Sequence, residues 1–259
     1  MLILYKNMIV TILGSGTSQG VPVIGCTCPV CRSTDPRDKR LRTSILIQTD
    51  EVALTVDAGP DFRQQMLRRK VEWLDAILVT HAHRDHVAGL DEIRSFNYVQ
   101  NRKMDVYMNA EAEYAVRRDY HFIFEPHQYP GLPEATLHVV DAPFEAAGET
   151  IVPVRVLHKD LPVLGFRVGE MAYITDANHI DDCELEKLAG VKVLVINALR
   201  QHKHFSHYCL PEALEVIARV KPERAYLTHI SHEMGLHADV QATLPQGVFL
   251  AYDNLEVEI

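Results

Sequence analysis

The sequence predicts an α/β fold in which two β-sheets pack together between helices. Strand-like apolar runs recur along the chain, rich in Val, Ile and Tyr and bounded by Gly, Asp or Asn. The strands follow one another in the first part, whereas helical patterns separate them more regularly later. The chain has 259 residues, of which 47% are hydrophobic, so it is long enough to bury a full core. We expect one domain over residues 1–259.

The individual elements follow from these patterns. The first strand, "MIVTILG", comes after an apolar stretch that Lys6 and Asn7 interrupt, with no small-residue cleavage site, so the pattern favours a strand over a signal peptide. Translation could start at Met1 or Met8. The predicted strands are 8–14, 43–49, 52–59, 75–81, 105–108, 151–158, 164–169, 171–177, 191–198, 224–231 and 248–253. The predicted helices are 61–70, 86–99, 110–120, 181–189, 210–220 and 236–243.

One segment, 119–135, is aromatic and contains prolines, and it predicts no regular element. Long irregular segments in compact domains are often functional, so a lid over a pocket is one interpretation. A surface insertion packed by its own aromatic side chains is the other. Sequence reasoning leaves both open.

Composition limits the partners and the compartment. The net charge of -9 opposes binding to long nucleic acids, because that binding depends on Lys and Arg at phosphates. No segment approaches the roughly 20 apolar residues of a membrane span. The five cysteines are an odd number, and three lie in one loop, which argues against a disulfide framework. We therefore expect a cytoplasmic protein that binds neither a membrane nor long nucleic acids.

Several predicted strands end in a side chain that can bind a metal. Asp57 follows "LTV", His81 follows "ILVT", Asp176 follows "AYIT", and His229 follows "AYLT". Strand ends that lead into loops are where rigid scaffolds place reactive groups. The shared context predicts one site at one edge of the sheets.

The strongest signal is "THAHRDH", which places three imidazoles and a carboxylate in one tight loop after a strand: His81, His83, Asp85 and His86. Imidazole and carboxylate suit zinc, manganese and iron as divalent ions. A solvated polar loop at a helix start, with Asp85 as the cap, is the alternative. The density of ligating groups favours two adjacent metal ions.

With this motif the chain resembles the metallo-β-lactamase superfamily of hydrolases, and the resemblance covers nearly all of it. It implies an αββα sandwich of two mixed β-sheets with two divalent ions, zinc or manganese or iron. Further ligands would be His158 in "VRVLHKD", Asp176 in "YITDAN" and His229 in "YLTHIS". One metal would take His81, His83 and His158, and the other Asp85, His86 and His229, with Asp176 bridging. Asp57 in "VDAG" would orient the ligand loop from behind.

The resemblance also implies a mechanism. Two cations a few Å apart can share a water and lower its pKa toward neutrality from about 15.7, which makes a hydroxide nucleophile. Asp85 and His207 are the residues that we assign to catalysis. The Gly-rich "GSGTSQG" lacks a nucleophile elbow and a phosphate-loop lysine, so it predicts a tight turn near the site. Two interpretations of its backbone amides stay open: that they contact the substrate, and that they have a structural role alone.

Within the superfamily the chain is most similar to PhnP-type cyclic phosphodiesterases. The shared features are "GSGTSQGVPVIGCTCPVC", the "DAG", the metal loop, "SHYC" and "LTHISH". The resemblance implies a small anionic phosphodiester as substrate, with His207 as a phosphate contact or general acid. It also implies a homodimer. His202 and His204 have no such match, and we expect them to be solvated.

Other functions share parts of this pattern. A transfer-RNA processing ribonuclease shares the metal motif but should carry a basic arm, which this acidic chain lacks. A lactonase or thioesterase could use the same hydroxide. The chain also resembles the metallo-β-lactamase-like protein of pyrroloquinoline quinone biosynthesis, which would make it an iron-dependent oxidative enzyme or a carrier. The complete ligand set argues against a zinc scaffold without catalysis.

The loop at residues 25–31, "GCTCPVC", contains Cys26, Cys28 and Cys31. Three thiolates at this spacing can wrap one face of a zinc ion and leave one position for another residue. Cys183 and Cys209 could be buried small hydrophobic residues. In the PhnP-type family a His three residues after the late ligand completes a structural zinc site, which implies His232 here. An iron–sulfur cluster is the rival, although such clusters generally use four cysteines.

Overall fold

The structure is a computed structural model, and it describes residues 8–125 and 131–259. The strands of these ranges form two seven-stranded mixed sheets. The first sheet holds β1 (Ile9–Gly14), β2 (Ser44–Gln48), β3 (Ala53–Val56), β4 (Ala76–Leu78), β5 (Met104–Met108), β6 (Ala135–Val139) and β14 (Glu256–Glu258). The second holds β7 (Phe144–Ala146), β8 (Glu149–His158), β9 (Leu161–Val168), β10 (Met171–Ile174), β11 (Val193–Asn197), β12 (Arg224–Thr228) and β13 (Val248–Leu250).

Each sheet is antiparallel at one end and parallel at the other. The spatial order is β14-β1-β2-β3-β4-β5-β6 in the first sheet and β13-β12-β11-β10-β9-β8-β7 in the second. Pairing is parallel from β3 to β6 and again from β10 to β13, and antiparallel elsewhere. Parallel neighbours need crossover connections, and helices in those connections cover the outer faces.

Helices flank the sheets. They are α1 (Pro29–Arg32), α2 (Phe62–Arg69), α3 (Arg84–Val87), α4 (Arg94–Gln100), α5 (Ala110–Asp119), α6 (His121–Phe124), α7 (Asp182–Leu185), α8 (Leu210–Val220) and α9 (His237–Gln241). Short 3-10 turns occupy Pro36–Asp38, Leu90–Ile93, Glu186–Leu188 and His232–Met234. None of the helices in the described ranges is long and apolar enough to cross a membrane.

Three apolar layers hold the elements together. Between the sheets, Phe166 and Tyr173 are fully buried among aliphatic side chains of both sheets. A second layer joins the first sheet to α2, α4 and α5, and a third joins the second sheet to α8. Full burial of one such large side chain contributes about 1.5–3 kcal/mol. This order of layers, helix–sheet–sheet–helix, confirms the predicted fold class.

Several predicted boundaries were wrong. The helix predicted over 86–99 is broken after Val87, since Gly89 packs so closely on the backbone at Ala58 and Gly59 that the chain turns there. The helix predicted over 181–189 changes to a 3-10 turn after Leu185.

The strands β6, β7 and β14 were not predicted. All three lie at or near sheet edges, where polar and half-exposed residues weaken the apolar signal. Part of the segment predicted to be irregular, 119–135, forms α6, and β6 begins at Ala135. Residues 126–130 of that segment lie outside the described ranges.

Candidate active site

Polar side chains from both sheets meet where the strands end. Asp57 follows β3, Asp176 lies two residues after β10, and His229 follows β12. All three have left-handed backbone conformations, with φ of 66°, 55° and 55°. This conformation costs a non-glycine residue about 1–2 kcal/mol. Such cost is tolerated mainly where the surrounding structure needs the side chain aimed in one direction.

The histidine-rich loop leaves β4 and enters α3. His81 lies three residues after Leu78, and His83 directly precedes α3, which carries Asp85 and His86 in its single turn. Gly59 is required here because a Cβ at that position would collide with the carbonyl oxygen of Asp85. The close approach of these two backbones fixes the loop against the end of β3.

One compact group consists of two carboxylates and two imidazoles: Asp85, His86, Asp176 and His229. His86 Nε2 lies 3.2 Å from Asp85 Oδ2 and 3.2 Å from Asp176 Oδ2. His229 Nε2 lies 3.2 Å from Asp176 Oδ1. The two oxygens of Asp176 thus face different histidines. Ligands about 2.0–2.1 Å from a tetrahedral ion are about 3.3 Å apart, so this spacing suits a metal ion.

A second compact group shares Asp176 and adds His158 and His207. The sequence prediction gave this position to His81, His83 and His158 instead. Their rings do lie together, with centroids 4.5 Å apart for His81–His83 and 5.2 Å for His83–His158. The structure therefore brings every predicted active-site ligand into one region and adds His207 to it. Which of these residues bind metal stays a prediction.

Hydrogen bonds behind the ligands determine which ring nitrogen faces the site. His86 Nδ1 lies 2.7 Å from Asp57 Oδ2 and donates to it, which leaves Nε2 for the cluster. His158 Nδ1 donates to the carbonyl of Ser206 at 2.8 Å. Asp57 also accepts the backbone N–H of Thr80 at 2.8 Å. Asp57 therefore has the orienting position that the resemblance implied.

The electrostatics of the cluster favour a cation. Burial lowers the pKa of His86, but the carboxylates of Asp176, Asp85 and Asp57 outweigh it and raise that pKa well above its usual value. Burial raises the pKa of Asp176, but its histidine neighbours outweigh that and hold the pKa well below its usual value. His81 Nε2 and both ring nitrogens of His229 are buried without a hydrogen bond. Buried polar atoms rarely stay unpaired, so the residues present fit divalent cations.

A test of the orienting role is Asp57→Asn. An asparagine loses the negative charge that holds His86 Nδ1–H, so we expect metal affinity to fall about 10- to 100-fold. Competition with a chromophoric chelator measures this affinity. The matched control is Asp105→Asn, which breaks an Asp–His pair of equal length, 2.7 Å, with His138 at two half-exposed positions. Unchanged metal affinity in Asp57→Asn would contradict the role.

His207 lies between the cluster and the surface. Its ring stacks on His229 with centroids 4.8 Å apart, and its Nδ1 lies 3.7 Å from Asp176 Oδ1. Burial, followed by the charge of His229, lowers the pKa of His207 to about 3. The ring is therefore neutral near neutral pH and can donate one N–H.

His202 and His204, both expected to be solvated, differ in exposure. His202 is exposed, and His204 is partly exposed, with its ring centroid 5.3 Å from that of His207. Its Nδ1 accepts the backbone N–H of Ser206 at 3.3 Å. The signal available in the sequence was its position three residues before His207.

The cysteine loop and His232 form a separate group. The ligand atoms of this group lie within 4.8 Å of one another, and they belong to Cys26, Cys28, Cys31 and His232. The sulfurs of Cys26 and Cys28 each lie 3.4 Å from His232 Nδ1. A thiolate sulfur and an imidazole nitrogen bound to the same tetrahedral zinc ion are about 3.6 Å apart, so the observed distances suit zinc. The backbone N–H of Cys31, followed by His232, lowers the pKa of Cys28 to about 6, which favours a thiolate.

The loop after β1 joins this cysteine group to the active site. Ile230 donates its N–H to the carbonyl of Ser15, and its own carbonyl accepts the N–H of Thr17. Amides of the glycine-rich loop at Ser15, Gly16, Thr17 and Gly20 all donate within the protein. The loop therefore holds the backbone next to His229 in place, and these four amides are not available to a substrate.

Comparisons with known proteins agree with this geometry. A family model described as the beta-lactamase superfamily domain matches residues 53–230. A crystal structure of a new diphosphatase from the PhnP family superposes with a TM-score of 0.91 and 37% sequence identity, covering 98% of this chain and 97% of that chain. The Zn(2+)-bound PqqB from Methylobacterium extorquens superposes with a TM-score of 0.75 at 20% identity, covering 97% of this chain and 100% of that chain, which shows a shared fold alone.

One curated relative is named for acyl transfer and not for hydrolysis of a phosphate ester. Over 252 residues the chain is 42% identical to an octanoyltransferase of Porphyromonas gingivalis, covering 96% of this chain and 51% of that protein. The chain thus spans about half the length of this relative.

Proposed function

The chain belongs to the metallo-β-lactamase superfamily as a PhnP-like member, and on that premise we propose that it is a metal-dependent hydrolase of small phosphodiesters. The family model and the 37% identical structure confirm the resemblance seen in the sequence. The observation that supports the proposed reaction is the convergence of Asp85, Asp176 and His229, with His207 beside them, at the ends of strands from both sheets.

Each residue has a task in this proposal. Divalent cations held there would acidify a water molecule and neutralise charge on the phosphoryl oxygens. Asp176 is the carboxylate that both compact groups share, and within the first group its Oδ2 faces His86 and its Oδ1 faces His229. His207 donates a neutral N–H to a phosphoryl or leaving oxygen, because its pKa is lowered to about 3. Asp57 and Ser206 keep the ligating nitrogens turned inward.

The test is hydrolysis of bis(p-nitrophenyl) phosphate by protein loaded with Mn²⁺ or Zn²⁺ and assayed for metal content. We expect release of p-nitrophenolate that chelation abolishes and that metal restores. The variant with both His81→Ala and Asp176→Ala should be inactive, whereas His121→Ala, an exposed histidine on α6, should match the native protein. No turnover with either metal, or turnover that survives the double substitution, would refute the proposal.

A diphosphate ester is the second candidate substrate, favoured by the 37% identity to a diphosphatase along nearly the whole chain. A diphosphate ester presents the same phosphoryl centre to the cluster, but cleavage of its P–O–P bond releases a phosphate, whereas cleavage of a phosphodiester releases an alcohol or phenol. Comparing kcat/KM for a diphosphate ester with that for the phosphodiester decides between the two. An octanoyl thioester tests acyl transfer beside these two substrates, because the longer relative, of which this chain spans about half, has the name octanoyltransferase.

A further inference from the structure

A row of aromatic rings leads from the metal-binding cluster to the surface. His229 is 1% exposed and stacks on His207, with a centroid distance of 4.8 Å. The ring centroids of His207 and His204 are 5.3 Å apart, and those of His204 and Phe205 are 4.5 Å apart. Phe205 is 71% exposed. The row therefore runs from a buried histidine of the cluster to an aromatic side chain in solvent.

The segment that carries the outer rings is fixed at several points. The Arg200 guanidinium donates to the carbonyls of His202 and Lys203 and pairs with Glu233. The carbonyl of Phe205 accepts from Asn178 Nδ2 at 3.4 Å, and the carbonyl of the next residue, Ser206, accepts from His158. These last two bonds tie the segment to the chain beside the cluster. Phe205 is thus held in place, and its exposure is a property of the ordered fold.

Phenylalanine offers a partner only an apolar face, because it carries no hydrogen-bonding group. Another exposed aromatic side chain, Tyr98 at 70%, lies on the outer helix α4. Phe205 differs in its ring contact with the row that begins at His229. The Nδ1 of His204 accepts from Ser206, so its Nε2 carries the hydrogen and can donate to a ligand.

We propose that His204 and Phe205 form a specificity subsite that stacks on a planar ring, which a sugar or other linker joins to the esterified phosphate of the substrate. This inference rests on the proposed phosphodiesterase function, since the phosphate anchors the ligand beside His207. The ring of the substrate would continue the row outward, lying against Phe205, while the sugar or other linker spans the distance from the cluster. Phe205 would then select ring-bearing esters over aliphatic ones.

The test is binding, which does not depend on turnover. Isothermal titration calorimetry of metal-loaded protein compares thymidine 5′-phosphate with 1,2-dideoxyribose 5-phosphate, which keeps the closed sugar ring and has a hydrogen in place of the planar base. We expect the base to tighten binding by about fivefold or more, as for base–aromatic stacking elsewhere. Phe205→Leu should remove this preference, Phe205→Trp should keep it, and Tyr98→Ala should leave it unchanged.

The outcomes separate the two proposals. Equal affinity for the two ligands, or a preference that survives Phe205→Leu, overturns the subsite. Absence of bis(p-nitrophenyl) phosphate hydrolysis overturns the proposed reaction, and the binding ratio is read independently of it. Because Phe205 is exposed, both of its variants should have the same Tm as the native protein, which thermal unfolding measures.

Discussion

Asp176→Asn should lower kcat/KM for a phosphodiester by about a thousandfold, the largest loss of activity that we expect from one conservative substitution. Asp176 is 2% exposed, and its two oxygens face His86 and His229. An amide has one oxygen, so its NH2 group would point at one of these histidines in place of a negative oxygen. The cluster would also lose the carboxylate that both compact groups share.

Initial rates over a range of substrate concentrations, together with the metal content of the same samples, measure this effect. The matched control is Asp182→Asn, the same chemical change at an exposed position that pairs with Arg219. The control should retain native kinetics. Native-like kcat/KM in Asp176→Asn would show that the proposed reaction does not use this cluster.

His232→Ala should release about one zinc ion per chain and destabilise the protein. The three thiolates would lose their fourth partner, and loss of a structural metal is among the few single changes that cost about 4 kcal/mol or more. For a chain of this size that corresponds to a fall in Tm of roughly 10 °C. Zinc content by elemental analysis and thermal unfolding provide the two measurements.

Two variants make this result specific. His232→Cys offers a fourth thiolate and should retain the zinc, since structural zinc sites built from four cysteines are also tetrahedral. His121→Ala removes an exposed histidine and should change neither zinc content nor Tm. His229→Ala should impair hydrolysis while retaining the cysteine-bound zinc. Native zinc content in His232→Ala would mean that another residue completes the group.

Sequence reasoning recovered the ligand loop because its chemistry is local. His81, His83, Asp85 and His86 lie within six positions, so their spacing alone indicates a metal site. His158, Asp176 and His229 carry no such local pattern, and the family resemblance brought them in. Their position at strand ends was visible, because apolar runs that stop at a polar residue mark those ends.

The surroundings of His204 depend on contacts that spacing does not show. Nothing in "RQHKHFSH" separates His202 from His204. In the folded chain Arg200 draws the carbonyls of His202 and Lys203 toward itself, and the resulting turn exposes one histidine and places the other beside His207. The edge strands β6 and β14 escaped prediction for a related reason, since partner strands, and not their own sequences, stabilise them.

The two candidate metal groups should form at different stages of folding. His81, His83, Asp85 and His86 lie in one loop, but His158, Asp176 and His229 come from the other sheet, so the complete active-site group assembles only after the sheets have docked. Three ligands of the other group lie within one short loop, which can capture zinc in a partly folded chain. Its fourth ligand, His232, is 206 positions from Cys26, so closing that site joins the N-terminal loop to the turn after β12. Zinc supply would then affect how fast the native chain accumulates, because this closure links two parts of the chain that are far apart in sequence.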